Sequence, residues 1–200
     1  MSNVSSASFW EEIYRRGQAG WDLGRPTPVF RRLLREGVCN PGKMIVLGAG
    51  RGFDARMFAR SGFEVSAVDF AAEAVQAMRE LSDPDAPVEI LEMDIFDLSS
   101  ELEGVFDYVL EYTFYCAIDP WRRGEYADVV SSLLIPGGHY IALAFPIGSH
   151  SGGPPFAVSP DELLESFRER GFEMVRRENP LDSVPQRRKA EELLILRKPA

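Results

Sequence analysis

The sequence predicts an α/β fold, a mostly parallel sheet covered by helices on both faces, and three observations predict it. From residue 44 short apolar runs alternate with amphipathic ones, a glycine-rich turn follows the first apolar run, and the last two apolar runs have no helix between them. Near-continuous apolar strands separated by helices are what a sheet buried on both sides requires. Two strands joined without a crossover helix are expected to pair antiparallel. The 200 residues, 45% hydrophobic and 26% charged, suit one globular unit, so residues 1–200 are read as a single domain with residues 1–40 as an N-terminal helical cap.

Ser8 and Glu11 have capping-box spacing, and Phe9, Trp10, Ile13 and Tyr14 share one helical face opposite Glu11, Glu12, Arg15 and Arg16. A first helix is expected there, stopped by Gly17. Thr27 followed by Pro28 predicts the start of a second helix, with Phe30, Leu33 and Leu34 on its apolar side and Gly37 at its end. Then come the strand "MIVLG", a helix after Phe53, the strand "EVSAVDF", the helix "AAEAVQAMREL", the strand "VEILEMD", a loop and the strand "FDYVLEY". Asp119-Pro120 predicts a helix to about Leu134, ended by "PGG", and "YIALAF" a fifth strand. Ser159-Pro160-Asp161-Glu162 predicts a further capped helix, after which "FEMVRRE" and "ELLILRK" are expected to form a hairpin with a long tip. No internal repeat or composition break marks a domain boundary.

A net charge of -9 with a pI near 4.8 opposes a phosphate backbone, and the basic residues are scattered apart from "RRK" at 187–189. No nucleic-acid partner is expected. No apolar run approaches the roughly 18 residues of a membrane span, and "MSNVSSASFW" lacks the basic start and apolar stretch of a signal peptide; no membrane partner and a cytoplasmic location are expected. Cys39 and Cys116, the two cysteines, read as free thiols in a chain large enough to bury its own core. His139 and His150 have no ligand spacing to either, so no metal is expected.

"IVLGAGRGFD" places Gly48, Gly50 and Gly52 where the first strand turns into a helix. Glycines there allow close approach of a ligand to the backbone, at a helix N-terminus that favours negative charge. The spacing is G-x-G-x-G, with Phe53 where a dinucleotide fingerprint has its third glycine, which weighs against NAD. Asp69 ends the second strand 21 residues after Gly48, where a carboxylate can accept hydrogen bonds from both ribose hydroxyls. Asp94 ends the third strand, where it and the Ile95 amide can read an adenine edge. The alternative for both aspartates is a capping role. An adenosine without phosphates suits so acidic a site, and S-adenosyl-L-methionine adds a sulfonium that aromatic faces attract. Trp10, Tyr14 and Trp21 are then a lid over it; the alternative for Trp10 and Tyr14 is the core face of an amphipathic helix.

Taken together, these residues resemble the thiopurine S-methyltransferase superfamily, and within it the plant and bacterial thiol, thiocyanate and halide methyltransferases. The resemblance runs from about Phe9 to Pro185 and rests on "W-x3-Y-x6-W-D-x-G-R-x-T-P", "VLGAGRGFD", "FDYVLEYTFYCAI" and "FPIGSHSGGPPF". It implies a class I methyltransferase Rossmann-like sheet of seven strands, the last antiparallel, under an N-terminal helical lid. It also implies cofactor contacts at Trp10, Tyr14, Trp21, Gly48, Asp69, Asp94, Ile95 and Tyr112, to which the loop reading adds Gly50. The chain departs from the family at Tyr14, where Trp is common, and at Phe145, where thiocyanate and halide members tend to carry a Tyr whose hydroxyl could orient the nucleophile.

The chemistry expected is in-line methyl transfer, in which placing the nucleophile about 3 Å from the methyl carbon is most of the catalysis. A thiol, hydrosulfide, thiocyanate or halide arrives anionic or nearly so, and no catalytic side chain is required. Phe30, Phe145 and Arg122 are the candidate acceptor-pocket residues. Arg25 and Arg122 either supply local positive charge or form surface ion pairs. Glu111 either acts as a base toward a neutral thiol or is a buried acceptor of backbone N–H groups. An oxygen or nitrogen acceptor, or a non-catalytic adenosine-binding module, remains open because fold does not fix chemistry. The partner is expected to be a small-molecule methyl acceptor, and the protein a monomer or weak homodimer.

Overall fold

The computed structural model describes residues 4–98 and 100–200. Strands β1 (Lys43–Leu47), β2 (Glu64–Asp69), β3 (Val88–Glu92), β4 (Phe106–Tyr112), β5 (Leu134–Ala144), β6 (Glu173–Glu178) and β7 (Glu192–Arg197) form one sheet. Their order is β3-β2-β1-β4-β5-β7-β6. The first five are parallel, while β7 is antiparallel to both β5 and β6. This is the predicted α/β arrangement, including the terminal hairpin.

The apolar strands are read correctly because their alternate residues enter two different cores. In β1, Ile45 and Leu47 belong to one cluster and Met44 and Val46 to the other. In β7, Leu194 and Leu196 face the first, Leu193 and Ile195 the second. Helices α5 (Arg123–Leu133) and α6 (Pro160–Arg168) cover one face through Tyr126, Val130, Leu163 and Phe167. Helices α2 (Pro28–Glu36), α3 (Phe53–Arg60) and α4 (Ala72–Glu80) cover the other through Phe30, Leu33, Phe58 and Val75. Each such fully buried side chain contributes about 1.5–3 kcal/mol, so the sheet is held from both sides. Helix α1 (Ala7–Arg15) lies outside these layers, packing Trp10 against Ala71 and Ala74 at the start of α4.

Chain order reverses between β1 and β4, which are neighbours with their carboxyl ends at the same edge. Open sheets of this kind form their ligand crevice at that reversal.

Three local expectations are corrected. The N-cap of α1 is Ser6, not Ser8, and the two hydroxyls bond each other at 2.7 Å instead of capping amides. The Trp10 indole donates to the carbonyl of Val4 at 2.8 Å and folds the preceding residues back onto the helix. Secondly, α5 ends at Leu133, beside the expected Leu134, but "PGG" is not what ends it: the amides of Gly104 and Val105 bond the carbonyls of Ser132 and Leu133 at 2.8 and 3.1 Å. Strand β5 therefore starts at Leu134 and runs through Pro136-Gly137-Gly138, and the helix itself begins at Arg123 after a 3-10 turn at Pro120–Arg122. Finally, β3 ends at Glu92, so Asp94 lies beyond the strand and caps a 3-10 turn, Ile95–Asp97. Among the described residues, no helix is long and apolar enough to cross a membrane.

Candidate active site

Two turns at the carboxyl edge of the sheet set the floor of the site. After β1 the chain passes through Gly48 at φ 60° and Gly50 at φ 55°. A Cβ on Gly48 would stand 2.1 Å from the Phe114 ring, and one on Gly50 would stand 3.2 Å from the Tyr14 hydroxyl. Both the left-handed backbone and the close neighbours require glycine. Asp69, at the end of β2, reaches across this loop and accepts the Gly50 amide at 2.8 Å and the Ala71 amide at 3.0 Å. Burial pushes its carboxyl up to about 6 against the pull of these bonds. One bond to each oxygen leaves acceptor capacity on both.

Asp94 accepts the Phe96 amide at 3.1 Å, so the capping role foreseen as an alternative is real. Its carboxyl is also raised by burial. At the first position of the 3-10 turn, the Ile95 amide lies outside the turn's own bonding.

These groups line a cavity of about 510 Å³, within the roughly 300–1,000 Å³ usual for small-molecule sites. Trp10, Tyr14, Trp21, Gly48, Asp69, Asp94, Ile95, Arg122 and Phe145 are all on its wall. A smaller recess of about 70 Å³ lies beside it, and Tyr14, Trp21, Gly48 and Thr113 border both. Gly50, Tyr112 and Phe30 lie on the recess, together with Asp22, Arg25 and Arg51. Phe30 is a core residue whose ring meets Tyr112 at 6.1 Å. Arg122 is held bidentate by Glu125 at 2.8 and 2.9 Å, with its guanidinium 3.5 Å from the Phe96 ring centre. Its charge is therefore largely committed.

Aromatic rings form the roof. Trp21 meets Trp10 at 5.4 Å and Tyr14 at 5.5 Å, both edge to face, and its indole donates to the Tyr14 hydroxyl at 3.3 Å. Such pairs add about 0.5–1.5 kcal/mol beyond burial. Trp10 is buried against Ala71 and Ala74, as the core-face reading expects, and it also walls the cavity.

The two ends of the cavity differ in chemistry. Asp69 and Asp94 stand on the β2–β3 side, and Asp119 opens the turn whose Arg122 stacks on Phe96. At the β4–β5 side are Thr113, Cys116, Phe145, Pro154, Pro155 and Arg187, with no carboxylate among the described residues there. Burial pushes the Cys116 thiol up to about 12, and it donates to the Thr113 carbonyl at 3.3 Å. Glu111 is not on the wall: it is 1% exposed, accepts the amides of Tyr115 at 3.1 Å and Phe114 at 3.3 Å, and is raised by burial to about 7. These bonds hold a strained turn in which Thr113 adopts φ 61°, rare for a β-branched residue.

Among the wall residues that the sequence does not single out, Arg187 and Thr113 stand at the β4–β5 end. In the sequence Arg187 is only part of a small basic run, and nothing local marks Thr113 for a left-handed conformation.

Comparison with known proteins identifies the family and the fold. The family described as thiopurine S-methyltransferase matches residues 5–197. The probable thiol methyltransferase 2 of Arabidopsis thaliana is 35% identical over 178 residues, covering 88% of this chain and 78% of that one. Thiocyanate methyltransferase 1 of the same plant is 32% identical over 187 residues, covering 92% and 82%. The fold is shared with the Burkholderia thailandensis 1,6-didemethyltoxoflavin-N1-methyltransferase, solved with bound S-adenosylhomocysteine. Its TM-score is 0.77 at 22% identity, over 100% of this chain and 89% of that one. The chain belongs to the thiopurine S-methyltransferase family and is an S-adenosylmethionine-dependent methyltransferase.

Proposed function

We propose that this enzyme methylates a small soft anion, a thiolate, hydrosulfide, thiocyanate or halide, using S-adenosylmethionine seated across the ends of β1, β2 and β3. The observation that carries the reading is the β4–β5 end of the cavity, which offers a buried cation, a phenyl ring and a thiol held neutral, and no carboxylate or imidazole to act as base. An acceptor that must lose a proton is poorly served there; one that arrives ionised needs only desolvation and placement.

The residues present fit the cofactor. Asp69 keeps acceptor capacity for two ribose hydroxyls, and Asp94 with the Ile95 amide offers an acceptor and a donor to an adenine edge. The rings of Trp10, Tyr14 and Trp21 present electron-rich faces to a cation and exclude water. In the recess, Gly50, Arg51, Arg25 and Asp22 offer both signs of charge, as an amino-acid group requires. When bound, S-adenosylmethionine supplies an electrophilic methyl group that leaves a neutral thioether behind on transfer to the anion. Phe145 keeps the acceptor end apolar, and Arg187 provides the cation that draws an anion into an otherwise acidic protein. The names of the two plant relatives support a sulfur nucleophile.

The test is methyl transfer from labelled S-adenosylmethionine to iodide, thiocyanate, hydrosulfide and an aryl thiol, alongside an amine and an alcohol. Methylated products from the anions are expected. Transfer confined to the amine or alcohol overturns the proposed acceptor class.

A further inference from the structure

One guanidinium touches the lid, the sheet and the cavity together. Arg187, 7% exposed, lies in the 3-10 turn Pro185–Arg187 that precedes β7. Its Nη2 donates to the carbonyl of Trp21 at 2.8 Å and to that of Gly20 at 3.2 Å. Its Nη1 donates to the Tyr112 hydroxyl at the end of β4, and that hydroxyl donates to Glu191. The guanidinium carbon stands 4.8 Å from the Phe145 ring centre and 5.1 Å from that of Tyr112.

This is not the pattern of an ion pair placed for stability alone. A buried charge requires compensation, and Glu191 supplies it only through the tyrosine, which leaves one edge of the fork for two lid carbonyls. Those carbonyls belong to a segment between Gly17 at φ 66° and Gly24 at φ 65°, outside every helix and strand. The segment's other anchors are the Asp22 ion pair with Arg51 of the glycine loop at 3.2 Å and the Trp21 bond to Tyr14. Arg51 ties the lid to the β1 end of the site, and Arg187 ties it to the β4–β5 end.

We propose that Arg187 is the latch of the aromatic lid: a positioning residue that holds Gly20 and Trp21, and with them the indole, closed over the cavity. A planar fork is required because two carbonyls and a hydroxyl must be met from one centre, a geometry lysine cannot reproduce. Because Arg187 also forms part of the cavity wall, contents at the β4–β5 end and closure over the β1–β2 end share one side chain. The inference rests on reading the cavity as the cofactor site, but the latch itself can be tested in the empty protein.

The experiment is hydrogen exchange of the free protein, without cofactor or acceptor, comparing wild type with Arg187→Lys, Arg187→Gln and Tyr112→Phe. Reporters are the amides of Gly20, Asp22 and Gly24, which bond Gln18, Ala19 and Asp22 within the segment. Both Arg187 variants are expected to speed exchange there about tenfold or more, the cost of losing charge-assisted bonds, while the amides of β1, β4 and β5 keep their protection. Tyr112→Phe, which keeps the ring and removes one anchor, is expected to show a smaller change confined to the same amides. A KM for S-adenosylmethionine that rises much more than kcat falls accompanies the opened lid. Unchanged lid exchange in Arg187→Gln, or equal acceleration in lid and sheet, overturns the latch. Neither result depends on which acceptor is methylated, so failure of the latch and failure of the proposed chemistry are separate outcomes.

Discussion

The indole Nε1 of Trp21 donates to the hydroxyl of Tyr14 across 3.3 Å, with the two rings at 89°. This contact closes the roof between the large cavity and the recess, since both residues border each. Burial and the neighbouring Asp69 carboxylate push the Tyr14 phenol up, so it remains a neutral acceptor for the indole.

Trp21→Ala removes both the ring over the cavity and that hydrogen bond. KM for S-adenosylmethionine is expected to rise about tenfold or more, as loss of a cation–π contact of order 0.5–2 kcal/mol with its packing implies. Steady-state kinetics checks this, and wild-type constants in the variant refute the lid.

If Asp69 holds the ribose as proposed, cofactor affinity depends on pH: burial pushes its carboxyl up to about 6, so the carboxylate acceptor is lost as pH falls through that value. Calorimetric affinity for S-adenosylhomocysteine is expected to weaken from pH 7 to pH 5 in wild type. Asp69→Asn should bind more weakly by about 1–3 kcal/mol and lose this dependence. A wild-type affinity that is flat across the range contradicts the assignment.

Stability moves the opposite way, and Glu111 shows it most clearly. Its folded pKa, about 7, is raised above the usual carboxylate value by burial. The folded state is therefore favoured while the group is protonated in both states, and that advantage is lost as pH rises through 7. Thermal melts of wild type should fall between pH 5 and pH 8 by an amount that Glu111→Gln reduces, with about 1–3 kcal/mol at stake. An identical pH slope in the variant rules out Glu111 as the source.

Gly48→Ala drives a Cβ into the Phe114 ring, 2.1 Å away, at φ 60°. The backbone alone costs about 1–2 kcal/mol, and the clash adds to it. Denaturant unfolding should show that Phe114→Ala relieves part of the loss, so the double variant is less destabilised than the sum of the singles. Strict additivity places the damage elsewhere.

What the sequence disclosed follows from how local each cause is. The run "MIVL" reads as a central strand because both of its faces are buried, and Asp69 is legible because strand length fixes where a carboxylate emerges after the glycine turn. Thr27 is the N-cap its place before Pro28 predicts, yet its hydroxyl bonds Asp54 at 2.7 Å instead of its own helix, a contact 27 residues away. Arg187 was hidden for the same reason on a larger scale, since its partner Trp21 is 166 residues earlier. A basic run in an acidic chain reads as solvated surface until the fold brings two carbonyls to it. Ser8 misleads because it alone has capping-box spacing to an acidic residue, Glu11, whereas the cap, Ser6, is set by its extended backbone, φ -105° and ψ 129°, and not by a side-chain bond.

The most direct test of the central claim is a crystal structure of this protein with S-adenosylhomocysteine and thiocyanate. The account predicts ribose hydroxyls on Asp69, adenine beside Asp94 and Ile95, the Trp21 ring over the thioether, and the anion beside Phe145 at the β4–β5 end. An adenosine bound away from Asp69, or an anion seated elsewhere than that end, would contradict it.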